Sequence, residues 1–72
     1  MDRTALEERL AGIEAKIAGV QQQIAEQRIA IERLERAGQP ADHAKYLLAG
    51  LELLDKAYRA SREAMVAGAQ ES

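Results

Sequence analysis

Two heptad ladders separated by a Gly-Gln-Pro break constrain this chain more than any other feature. Leu6, Leu10, Ile13, Ile17, Val20, Ile24, Gln27, Ile31 and Leu34 follow one another at alternating steps of four and three. After Gly38-Gln39-Pro40, a second ladder runs through Ala44, Leu47, Leu51, Leu54, Tyr58, Ser61 and Met65. A mean step of 3.5 residues puts each set on one stripe of a helix, and such a stripe packs against another helix. The break is too short for any connection but an antiparallel turn. The expected fold is therefore all-α: an antiparallel helical hairpin that assembles into a four-helix bundle.

Local signals set the expected boundaries of one helical-hairpin domain over residues 1–72. Thr4 with Glu7 reads as a capping box, which starts helix 1 near residue 4 and lets it run to about 37. Gly38 supplies the left-handed residue that ends many helices, and Pro40 suits the first position of the next, giving a turn at 38–40. Helix 2 is expected over about 41–67, with Asp42 complementing the helix dipole and Gly68 stopping it. The tail 68–72 has nothing to anchor it and is expected to fray. Folding at residue 39 puts Leu34 near Ala44, Ile31 near Leu47, Ile24 near Leu54 and Ile13 near Met65. On those boundaries helix 1 outruns helix 2, so Arg3 and Leu6 project past its end unless a second subunit covers them.

With 72 residues, 47 % of them hydrophobic but many of those alanine, and no Phe or Trp, the domain is close to the limit for burying a self-sufficient core. One helix–helix interface is thin, and a second neighbour for each helix is the simplest remedy, so a homodimer is expected. Helix 2 is apolar beyond its ladder. Leu48, Leu53 and Tyr46 flank the ladder, with Ala49, Gly50, Ala57, Ala60 and Ala64 around them. A helix apolar on several sides is contacted on several sides. On helix 1, Gly12 and Gly19 share a flank seven residues apart, each costing about 1 kcal/mol against Ala, which suggests a third helix approaching closely. Ile29 lies opposite the ladder among charges, either as an isolated surface residue or as an anchor for a partner. The expected partner interface thus comprises Leu48, Leu53, Ile29, Gly12 and Gly19.

Gln27 interrupts the first ladder at a core position. Either its amide is buried and specifies register or subunit number, or it bends out to solvent from a short apolar stem.

Chemistry-bearing patterns are sparse. No cysteine is present, and His43 has no second histidine at ligand spacing, so no metal site is expected. Tyr58 and Ser61 bring hydroxyls to adjacent layers, but no base occupies a neighbouring ladder position to activate them. Every glycine stands alone, so there is no phosphate-binding loop. No catalytic residue, cofactor or small-molecule substrate is expected. Acidic residues exceed basic ones by 12 to 10, for a net charge of -2, which does not suggest a dedicated nucleic-acid binder. The strongest basic stripe joins Lys56, Arg59 and Arg62 with Lys16 at their level. A small RNA-binding regulator using it is the alternative reading, weakened by Glu52, Asp55 and Glu63 nearby and by the lack of a stacking aromatic. Glu32–Arg36, Glu52–Lys56 and Asp55–Arg59 read as acid-before-base pairs four apart on solvated faces. No apolar run approaches the length of a membrane span, so a cytoplasmic setting is expected.

From Ile29 to Met65 the pattern Ile31-x-x-Leu34-Glu35-Arg36-x-Gly38, then Ala44-x-x-Leu47-Leu48, then Glu52-x-Leu54, resembles a group of short bacterial helical-hairpin proteins of unassigned function. That resemblance implies a helical hairpin and supplies no active-site residues. In architecture the chain is also similar to the repressor-of-primer hairpin, which dimerises into a four-helix bundle and binds paired RNA loops; its basic RNA face does not map onto residues here. The reading is a non-enzymatic interaction or regulatory module acting as a homodimer. A further alternative is a coiled-coil subunit that completes its core on a different protein.

Overall fold

A computed structural model of the chain describes residues 3–71. It contains two long helices, α1 (Arg3–Arg36, 34 residues) and α2 (Asp42–Glu71, 30 residues), folded against each other as an antiparallel hairpin with no strand among the described residues.

The turn follows from Gly38, whose φ of 69° only glycine adopts without strain. Its N–H donates to the carbonyl of Glu35 (3.1 Å), and the N–H of Gln39 donates to that of Leu34 (2.8 Å). These two bonds make a Schellman cap, which satisfies carbonyls left over at the end of α1. Helix α2 then starts two residues later than Pro40 alone would place it. Ala41 accepts the first helical bond from Lys45 (2.9 Å), so Pro40 precedes the helix instead of occupying its first position. Asp42 lies in the first turn, as the dipole argument requires.

Both outer ends differ from the sequence expectation. Helix α1 already includes Arg3, so Thr4 is within the helix, and Glu7 accepts a hydrogen bond from Arg3 (3.2 Å) instead of closing a capping box. Helix α2 continues through Gly68 to Glu71. A lone glycine costs only about 1 kcal/mol relative to Ala, and Ala67 and Ala69 on either side are the best helix formers. The four extra residues shorten the expected overhang of α1 by about 6 Å, and Leu6 is half-buried.

The first ladder turns inward along its length. Ile13, Ile17, Val20, Ile24 and Ile31 are buried, and Leu6, Leu10, Gln27 and Leu34 are half-buried. Helix α2 presents a different stripe from the expected one. Ala41 and Ala44 are buried, and Leu48, Leu51, Asp55, Tyr58, Arg62 and Met65 are half-buried. Leu47 and Leu54 are 44 % and 40 % exposed, and Ser61 is exposed. The layer at Ile31 is therefore completed by Ala41, Ala44 and Leu48, not by Leu47. The two candidate stripes share Ala44, Leu51, Tyr58 and Met65 and differ by one position elsewhere, so a small rotation of α2 exchanges them. In the observed rotation, polar contacts line one side of the hairpin. Lys45 pairs with Glu35 (3.2 Å), and Arg28 lies 4.0 Å from Glu52, both between helices.

Candidate functional site

The rotation of α2 gives the hairpin two unlike sides. On the charged side, Gln21, Ile24, Ala25 and Arg28 of α1 face Glu52, Asp55 and Arg59 of α2 across a shallow polar seam. Here Arg59 Nε donates to Asp55 Oδ2 (3.0 Å), the Arg28–Glu52 pair bridges the helices, and Arg36 pairs with Glu32 nearby. Glu52 thus reaches across the hairpin to Arg28 and not along its own helix to Lys56. The exposed pairs among these are each worth only about 0–1 kcal/mol.

The opposite side is an apolar groove of about 660 Å³. Gln23, Glu26 and Gln27 form its α1 wall, and Tyr46, Leu47, Gly50, Leu53 and Leu54 form its α2 wall. Tyr46 is 77 % exposed and Leu53 69 %, so the hairpin leaves two large α2 side chains mostly in water. Along this flank from Tyr46 to Gly68, at positions 46, 47, 50, 53, 54, 57, 60, 61, 64, 67 and 68, no residue is charged. Every charged residue of α2 lies on the other flank, at the back, or inside the seam.

Gln27 anchors the base of the groove. Its half-buried side-chain amide donates to the backbone carbonyl of Ala44 (3.2 Å), tying α1 to the first turn of α2. The amide is thus engaged inside one chain, across the hairpin from its own helix.

The residues expected to meet a partner separate into three places. Leu53 stands on the uncharged flank. Gly12 and Gly19 lie on the same side of α1 as Gln23 and Glu26, where a Cβ on either would meet nothing within 4 Å. Ile29 is 49 % exposed on the back of α1, away from the groove. Leu48 packs inside the hairpin against Ile31, Ala41 and Ala44, so its side chain is taken up by the chain's own core. Leu47 and Leu54, assigned from the sequence to the core, take the groove position instead. The uninterrupted absence of charge along their flank was the available signal.

The basic residues do not form an open stripe. Arg59 is held by Asp55, Arg62 is half-buried, and Lys16 sits 6.0 Å from the centre of the Tyr58 ring, leaving Lys56 exposed at the edge. Asp55 Oδ1 is buried in the seam without a hydrogen-bond partner, which adds an acidic group where a polyanion would have to lie. Among the described residues no group of three or more His, Asp or Glu side chains is placed to hold a metal ion. Among the described residues no helix is long and apolar enough to cross a membrane. No protein-family model, curated protein or solved structure matches this chain.

Proposed function

We propose that this chain is a non-enzymatic interaction module that acts in the cytoplasm as a homodimeric four-helix bundle, in a regulatory or scaffolding role. The observation that carries the reading is the uncharged flank of α2, with Tyr46 and Leu53 mostly in water beside a groove already walled by α1. An apolar patch of this length on a small helical protein marks a surface that another protein covers. The monomer's dimensions support the same reading. Its radius of gyration is 16.6 Å, against about 11 Å for a compact chain of this length. Its accessible surface is 5495 Å², against about 4,400 Å² for a compact protein of its mass. Association removes part of that excess surface.

The reading is tested by thermal unfolding at a series of protein concentrations. Dimerisation coupled to folding makes the midpoint rise with concentration by mass action. A midpoint constant from about 1 to 100 µM contradicts it, because that range should shift a dimer by roughly RT ln 100, about 2.7 kcal/mol.

A further inference from the structure

The open face is graded in size along the hairpin. Near the turn it carries Tyr46, Leu47, Leu53 and Leu54; toward the free ends it carries Ala57, Ser61 and Ala64 on α2, with Gly19 and Gly12 beside them on α1. We infer that this face is covered by a second copy of the same chain, turned end for end, so that the two α2 helices run antiparallel and the bulky end of each face fills the recessed end of the other. This rests on the homodimer reading above and specifies its geometry.

Three observations favour that occupant. The first is size. A twofold axis at the level of Asp55–Lys56 sets Leu47 against Ala64 of the other copy, Gly50 against Ser61, and Leu54 against Ala57. A parallel arrangement instead opposes Leu47 to Leu47 and Ala64 to Ala64, leaving bulk at one end and voids at the other.

The second is charge. Between Gly12 and Ala30 the charged residues on this side of α1 are Lys16 and Glu26. The contacts of Ile31 with Ala44 and Leu48, and of Glu35 with Lys45, fix the register of the hairpin. In that register the same twofold axis brings Lys16 of one copy level with Glu26 of the other, and Gly19 level with Gln23. Like charges do not meet, which a parallel pairing does not ensure.

The third is area. Tyr46, Leu47, Leu53 and Leu54 at their observed exposures present on the order of 500 Å² per chain. Two copies with the flanking alanines and glycines reach the roughly 1,200–2,000 Å² of a stable specific interface. The glycines then have a purpose: a Cβ at Gly12, Gly19 or Gly50 meets nothing within the hairpin, so their smallness serves a helix arriving from outside.

Disulfide trapping tests the arrangement, because the chain has no cysteine of its own. Gly50→Cys and Ser61→Cys each place a thiol on the exposed stripe without disturbing the hairpin core. In the antiparallel dimer, like positions lie about 16 Å apart along the axis, beyond disulfide reach, while a thiol at position 50 faces one at position 61 of the other copy. The expected result is no covalent dimer from either variant alone and a mixed disulfide when the two are combined and oxidised. Covalent dimers from each variant alone, with none specific to the mixture, overturn the antiparallel geometry and leave the homodimer standing. A dimeric mass under reducing conditions with no disulfide in any combination overturns this face as the interface. A monomeric mass overturns the homodimer reading and this inference together.

Discussion

Truncating Leu53 to alanine separates what holds the hairpin together from what holds two hairpins together. The side chain is 69 % exposed, so within one chain it has little packing to lose, and alanine slightly favours the helix. Hairpin stability should change by less than about 0.5 kcal/mol, as for other surface substitutions. In the proposed dimer the exposed part is what the partner would remove from water. Full burial of a leucine is worth about 1.5–3 kcal/mol, so the part still available is about 1–1.5 kcal/mol per copy after allowing for what alanine retains. Two copies lose about 2–3 kcal/mol, which weakens the dimer about 30- to 150-fold. Sedimentation equilibrium on both proteins gives the dissociation constants, and circular dichroism gives the helix content. Leu48→Ala is the contrasting control: Leu48 packs on Ile31, Ala41 and Ala44, so its loss should lower the unfolding midpoint by acting within each chain. A dissociation constant for Leu53→Ala within about twofold of the parent would refute the assignment of this flank to the interface.

Gln27→Leu gives up one hydrogen bond to Ala44, worth about 1 kcal/mol, and gains similar apolar burial. Its melting midpoint should stay within a few degrees with the subunit number unchanged; a new oligomeric mass would show that the amide specifies assembly. Gly38→Ala forces a Cβ into the left-handed region at φ 69° and should cost roughly 1–2 kcal/mol in chemical denaturation, an unaltered curve contradicting the turn geometry. Neither RNA nor duplex DNA should bind more tightly than about 10 µM near physiological salt, because Asp55 and Glu52 sit among the basic groups of α2. A tighter complex that weakens steeply with added salt and is abolished by reversing Lys56, Arg59 and Arg62 would establish the nucleic-acid reading instead.

The first helix is legible in the sequence because a single apolar stripe is bounded by polar residues on both sides, and its burial follows that stripe from Leu6 to Leu34. The turn is legible because Gly38 answers a local steric requirement. The facing stripe of α2 is not, since apolar residues span too wide an arc for periodicity to choose between Leu47–Leu54 and Leu48–Asp55. Side-chain polarity favours the first pair, but the structure adopts the second, with Lys45–Glu35 and Arg28–Glu52 paired between residues far apart in the chain. Asp55 is tolerated at the seam because Arg59 pairs with it and part of the carboxylate stays in water. The same ambiguity hides the groove, since the ladder pattern assigns Leu47 and Leu54 to the core. Pairing of Gln27 with a backbone carbonyl 17 residues away depends on the hairpin's register and has no local signature.

Sedimentation equilibrium of the unmodified chain from about 1 to 100 µM tests self-association most directly. The expected data fit a reversible monomer–dimer equilibrium whose upper limit is twice the 7.9 kDa chain mass, with helix content rising as the dimer forms. A fully helical, stable species of single-chain mass across the whole range would contradict the account, because the uncharged flank of α2 would then have no partner in a second copy.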